Sequence, residues 1–419
     1  MKWSTATLGS LSKMVGGGTP SKKRDDFWNG DIPWVSPKDM SFREIYDAED
    51  HITGAAVNSS ATQVVPTGSV LIVVRSGILV RRFPVAIARV SLALNQDMKA
   101  IPPGGLLQPE FLAYALAASE QVVLGQCVKR GATVHSIDIG KLQRLEFPIP
   151  AKSEQLRIVE ILDQADALRK KRAEADAKSA RILPALFYKM FGDPATNPKR
   201  WRIKRLSDLE AQVRYGLGQP PKESEAGIAL IRATNISRGT ISATNMIYVD
   251  PQDVPPGRNA FLREDEVIVV RSGAYTGDVA QVTKEWEGCV AGYDLVITPG
   301  KCLTGEFVEA YLLTSFIQKG YFQNLKARGG QPHLNAAQVS ATPFFDVPHD
   351  LQMRFSEAVE STRVLRKRIA TANENLERAF AVMLHHAFTG DLTARWRDAH
   401  MKELLAEIEA QAKALEAHS

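Results

Sequence analysis

The stretch VLIVVRSG at Val70–Gly77 recurs as EVIVVRSG at Glu266–Gly273, 196 residues later. Phe111 in EFLAYALAASEQ matches Phe307 in EFVEAYLLTSFIQ, and Asp39-Met40-Ser41 aligns with Asn235-Ile236-Ser237, both at the same offset. His135 in KRGATVHSI then pairs with His333 in ARGGQPHLN at 198, and LRKKR at Leu168 with LRKR at Leu365 at 197. A period near 197 is far too long for a solenoid unit, so the chain is a duplicated domain. Its 419 residues suffice for two separate cores.

Each copy runs from a strand-rich segment into a long stretch with few helix breakers. In the first, Ile158, Ile161, Ala165, Leu168, Arg172, Ala175, Ser179, Ile182 and Leu186 alternate in steps of three and four. The second repeats this with Phe355, Ala358, Thr362, Leu365, Ile369, Ala372, Leu376, Ala379 and Met383. That spacing is a coiled-coil seam, and each arm is the nearest partner for the other. Four heptads span roughly 43 Å, enough to hold two modules apart. Pro184 predicts a kink or a fresh helix start in the first arm only. Gly192 and Gly390 are placed as C-terminal caps. Beyond them, Leu404, Ile408, Ala412 and Leu415 predict one further amphipathic helix, with Thr393 as a candidate N-cap. The expected fold class is α+β: two similar α/β modules, each followed by a long helix, the helices pairing as an antiparallel coiled coil.

Within the modules, SVLIVVRSG reads as a buried strand ending at a turn. Arg75 and Arg271 sit where that strand leaves the core, open to a structural ion pair or to an anion or base contact. The loop GGGTPSKK (Gly16–Lys23) resembles a phosphate-contacting loop but lacks the P-loop ending, and a plain surface turn is the alternative. Its counterpart keeps Gly218, Pro220 and Lys222. His135 and His333 each follow an Arg-Gly turn, as a core imidazole or part of a DNA-facing loop. Loop tips differ between copies, Thr133-Val134 against Gln331-Pro332 and Arg81-Arg82 against Gly277-Asp278, which suggests two targets read by one scaffold.

The chain has no Rossmann fingerprint, zincin motif, nucleophile elbow or Cys/His metal spacing, and no DNA amino-methyltransferase motif. No catalytic or metal-binding residue is assigned. A net charge of +5 permits an anionic partner. Three cysteines without C-x-x-C pairing, no signal-peptide core and no long apolar run lead to the expectation of a cytoplasmic protein without membrane contact.

The order GGGTPS, FWNGDIPWVSPKDM, HIT, PTGSVLIVVRSG, LNQD, GATVHSI, FPIPAKSEQLRIVEIL, FYKMFGD and FTGDLTARWR resembles the specificity subunits of type I restriction-modification systems across essentially the whole chain. The second module departs from the first landmark, with YGLGQPPKESEAGIALIRATNIS. The resemblance implies target recognition domains at 1–150 and 193–349, a central helical arm at 151–192, a C-terminal arm at 350–390 and a terminal helix at 391–419. It further implies a non-catalytic subunit whose domains each read half of a bipartite site on double-stranded DNA. Two methyltransferase subunits dock on such a subunit and use S-adenosylmethionine; restriction subunits, where present, use ATP with Mg2+. This chain would itself bind no cofactor. DNA contacts are expected from Thr19, Ser21, Lys22, Lys38, Arg75, Arg81, Arg130, Thr133 and His135, and from Lys222, Arg232, Asn235, Arg271, Tyr275, Arg328, Gln331 and His333. The alternative is a stand-alone DNA-binding regulator that dimerises through its arms.

Overall fold

The β-branched run Val70–Val73 is buried along its whole length, and its repeat Val267–Val269 likewise. Successive side chains point to opposite faces, so both faces of each strand are covered, and an uninterrupted apolar run results in place of an alternating one. A computed structural model describes residues 3–41, 43–104, 106–131, 134–255, 257, 259–326 and 332–418. In the first copy the sheet order is Val15–Gly16, Met98–Ile101, Val70–Val73, Val85–Ala88, Glu44–Ile45. The second copy repeats the first four places with Gln212–Tyr215, Leu295–Thr298, Val267–Val269 and Val279–Gln281. A second sheet in each copy contains one parallel contact, Ala93 beside Trp34 and Leu94 beside Val35, repeated as Leu230 beside Val290 and Ile231 beside Ala291.

The chain divides into two compact units, residues 1–172 with 373–419, and residues 173–372. The divisions fall inside the long helices, not at the ends of the arms. The first arm helix is Lys152–Ser179, followed by Ile182–Phe191; the second is His349–Thr389 without interruption. Pro184 therefore starts a fresh helix, where its missing N–H falls in the first turn. Gly192 and Gly390 end the helices with φ of 86° and 88°.

Each arm begins on one core and ends on the other. Ile158 and Leu162 belong to the core of the first unit, which also takes in Ala387, and Phe388 packs there on Phe111 with ring centroids 5.2 Å apart. In the second unit Phe355 belongs to the core, and Phe191 packs on Phe307 at 4.8 Å. The start of each arm is held by a buried glutamine. Gln155 accepts from Gln108 N at 2.8 Å and donates to the carbonyls of Leu106 and Pro150, both at 3.0 Å. Gln352 accepts from Thr304 N at 3.1 Å and donates to those of Cys302 and Val347.

The pairing of the arms corrects the expected seam. Ile158, Ala165, Arg172, Ser179 and Leu186 are buried or half-buried as anticipated, and so are Phe355, Thr362, Ile369, Leu376 and Met383. The second inward position of each heptad lies one residue later than expected, at Leu162, Arg169, Asp176 and Leu183, and at Val359, Arg366, Asn373 and Phe380. Leu168, Ala175, Ile182, Leu365 and Ala372 consequently face solvent, and Leu168 is 59% exposed. Ile161 and Ala358 are half-buried at the margin. In the first unit Arg169 forms a forked pair with Glu377 at 2.8 and 2.6 Å and lies over Phe380, while Arg172 donates to Asn373. The residue numbers run in opposite directions, so the helices are antiparallel. In the second unit Arg366 donates to the carbonyls of Ser179 and Ala180.

The terminal segment also differs from expectation, forming two helices, Ala394–Ala399 and Met401–His418. Thr393 occupies the N-cap place, but its hydroxyl donates to Glu154 at 2.7 Å instead of capping. Glu154 is buried and also accepts from Trp3 Nε1 at 2.9 Å and Arg397 Nε at 2.8 Å. Ser153 donates to Glu407, which secures the last helix on the first unit.

Replacing Gln155 or Gln352 by alanine leaves an N–H without its acceptor inside the core. Each change is expected to destabilise its own unit by about 2–3 kcal/mol in urea unfolding. A loss below about 0.5 kcal/mol would show that the bracket carries little.

Candidate nucleic-acid interface

Leaving the core, the strand Val70–Val73 continues as Arg75–Ser76, which pairs with His135–Ile137, itself paired with Val128–Lys129. His135 lies opposite Ser76, and Ser136 opposite Arg75. Two motifs sixty residues apart in sequence thus become one small sheet carrying Arg75, His135 and, just beyond Lys129, Arg130. The Arg75 side chain is 62% exposed and stands 4.0 Å from Asp97. Arg130 is exposed, as is Arg81 just after the turn Gly77–Val80. In the second unit an antiparallel bridge joins Ser272 to His333, bringing His333 beside Arg271.

The glycine loop lies against this frame. Gly18 N donates to Leu94 O at 2.9 Å, and Trp34 Nε1 donates to Gly18 O at 3.0 Å. A Cβ on Gly17 would stand 2.0 Å from Asn95 O, so no side chain fits there. Thr19 donates to Gln96 Oε1, while Ser21 and Lys22 project into solvent. In the second unit Gly216 takes the place of Gly17: its Cβ would meet Gly292 O at 2.2 Å, and Leu217 N donates to Ala291 O at 3.0 Å. The loops therefore align one residue away from the Gly18–Gly218 match expected from sequence. Lys222 is exposed beyond this turn.

Three expected contacts have partners within the protein itself. Asn235 is 1% exposed; it accepts from Arg232 N and donates to the carbonyls of Ser242 and Thr244. Its amide is thereby committed to its own loop. Arg232 is half-buried and donates to Asn245 O at 2.7 Å. Lys38 stands 2.9 Å from Asp50 and 3.0 Å from Glu49; bonding to Asp50, then Glu49, pushes its ammonium pKa up to about 12. Lys38 lines a cavity of about 570 Å³ with Arg43, Tyr46 and Lys170. Tyr275 is 49% exposed in the turn after Arg271. Thr133, Arg328 and Gln331 lie outside the described residues.

Sequence reasoning missed the surroundings of Arg271. Its guanidinium lies 3.6 Å from the ring centroid of Tyr293 and 5.0 Å from that of Tyr215. Its backbone N–H donates to Asp294 at 3.2 Å. Burial pushes the Asp294 carboxyl up to about 6, opposed by that N–H and by the Arg271 charge. The available clue was positional: Asp294 and Tyr293 align with Asp97 and Gln96 of LNQD at an offset of 197. Among the described residues no group of acids, histidines or cysteines is arranged to hold a metal, and no helix is long and apolar enough to cross a membrane.

Residues 1–175 match the family described as type I restriction modification DNA specificity domain. The chain is 45% identical over 163 residues to the type I restriction enzyme EcoR124I/EcoR124II specificity subunit of Escherichia coli, covering 39% of this chain and 40% of that one. That match spans less than half of the relative's length. Identity is 24% over 379 residues to the MjaIX specificity subunit of Methanocaldococcus jannaschii, covering 85% of this chain and 86% of that one. Among solved structures, the S subunit from M. genitalium is similar with a TM-score of 0.54 at 15% identity, covering 93% of this chain and 96% of the other. A chain from work on complex assembly and conformational transition of the type I R-M system gives 0.59 at 16% identity, covering 93% and 98%. At these identities the structural likeness concerns the fold.

The carboxyl of Asp294 gives a pH test of the frame. Its folded value of about 6 lies above its ordinary 3.8, so its contribution to stability is complete below the ordinary value and lost as pH rises through about 6. Asp294→Asn cannot ionise. It is expected to melt higher than the parent at pH 7.5 and equally at pH 3.5, as read by circular dichroism at both values.

Proposed function

We propose that this chain, which belongs to the type I restriction-modification specificity subunits, reads a bipartite site on double-stranded DNA with one unit per half-site. The observation that carries this reading is the repetition of one frame with different exposed side chains. In each copy a glycine loop, an arginine at a strand end and a histidine bridged to the following serine converge. Two main-chain hydrogen bonds recur, Gly18 N to Leu94 O as Leu217 N to Ala291 O and Asn95 N to Val35 O as Gly292 N to Ile231 O, while Gln96 of the first unit is replaced by Tyr293 in the second. Two copies of one frame with different tips are what two different half-sites require. Arginine at a strand end can meet guanine through two parallel hydrogen bonds, and the surrounding lysines and arginines supply phosphate attraction.

The subunit performs no chemistry in this reading. It docks two methyltransferase subunits, which methylate DNA with S-adenosylmethionine, and restriction subunits that use ATP with Mg2+ join where the system includes them. Apolar side chains left outside the seam support docking along the arms: Leu168 and Val382 in the first unit, Ile182 and Leu365 in the second.

Mapping methylated adenines in cells that express this chain with its methyltransferase is expected to give a two-part motif with a fixed unread gap. Arg75→Ala is expected to relax or weaken one half by about 10–100-fold, and Arg271→Ala the other. A purified chain that binds its site as a dimer without partners would favour the stand-alone regulator. Leu168→Glu and Leu365→Glu are expected to leave the melting temperature unchanged while reducing co-purification of the methyltransferase at least about tenfold.

A further inference from the structure

Gln96 and Tyr293 occupy one position in two copies of the frame. Asn95 N donates to Val35 O at 2.9 Å, and Gly292 N donates to Ile231 O at 2.8 Å. The residue just before each, Leu94 or Ala291, accepts from the glycine loop. Asn95 and Gly292 are buried and Asp294 is 2% exposed, yet Gln96 projects and Tyr293 is 45% exposed. A single side chain thus leaves a rigid, buried main chain between the glycine loop and the arginine strand.

We propose that this position determines base specificity in both units: Gln96 reads an adenine, and Tyr293 is the positioning residue that sets Arg271 to read a guanine. The inference rests on the DNA-reading function proposed above. A glutamine carboxamide offers an acceptor and a donor that complement N6–H and N7 of adenine in the major groove. Thr19 donates to Gln96 Oε1, which orients the carboxamide and leaves the second lone pair of Oε1 and the Nε2 hydrogens for a base. In the second unit an aromatic ring replaces the amide. The guanidinium of Arg271 lies over Tyr293, 3.6 Å from its ring centroid, and over Tyr215 at 5.0 Å, which restricts its rotamers. A fork held in this way is aligned in advance for O6 and N7 of guanine.

The test is adenine-methylation mapping of the assembled methyltransferase complex carrying the parent chain, Gln96→Ala, Tyr293→Ala, Tyr293→Phe or Arg271→Lys. Gln96→Ala is expected to relax one adenine position in one half-site, with methylation at the formerly excluded bases rising at least about tenfold. Tyr293→Ala and Arg271→Lys are expected to relax one guanine position in the other half-site, and Tyr293→Phe to retain the parent motif because the ring alone is needed. Unchanged motifs for Gln96→Ala and Tyr293→Ala would overturn the proposal, as would an equal loss across all sequences, the mark of a phosphate anchor. Relaxation at bases other than adenine and guanine, or failure of Tyr293→Phe to retain the motif, would overturn the assigned contacts. A parent chain without a two-part motif would overturn the DNA-reading assignment itself.

Discussion

A carboxylate removed from water must be met by donors, and Glu154 shows how much of the first unit follows from meeting that demand. Its three partners, Trp3, Thr393 and Arg397, come from the chain's beginning and from the segment after the second arm. Removing one partner of a buried ion pair typically costs about 3–5 kcal/mol, because the other charge stays buried. The clasp therefore ties Trp3 and the segment after the second arm to the start of the first arm. Gln155, the next residue, fixes that start to the module through main-chain groups. The second unit reaches a similar junction with fewer charges: Trp201 donates to Phe191 O and Lys199 to Met190 O, beside a cluster of phenylalanines.

The duplication, the two arms, the helix restart near Pro184 and the glycine caps were legible because each is local or repeats in sequence. The phase of the seam was not. Counting apolar residues favours Leu168 and Leu365, but the inward places are held by Arg169, Asp176, Arg366 and Asn373. Hydropathy scores these as surface residues, whereas the helices use them as partners, as in the forked pair of Arg169 with Glu377. A polar seam gives up burial for register, since a shifted pairing would leave its donors without acceptors.

The candidate interface was legible in part for a related reason. Strand-end arginines and recurring histidines could be picked out one by one, but the pairing of His135 with Ser76, and of His333 with Ser272, exists only in three dimensions. Asn235 was picked out as a polar residue in a loop; its amide closes that loop from within. Tyr293 belonged to no motif and Tyr215 only opened the second glycine loop, so both were overlooked, although they define the surroundings of Arg271.

The main-chain fastening of the recognition frame also bears on how such a protein changes over generations. Gly17 and Gly216 cannot acquire side chains without displacing backbone, so the frame itself tolerates little drift. The tips it presents are exposed and held from behind, and exposed substitutions away from such features usually alter stability by no more than about 0.5 kcal/mol. Mutational damage to folding and mutational change of target are thereby assigned to different residues. A lineage can explore new DNA sequences at these tips while its folding machinery stays untouched.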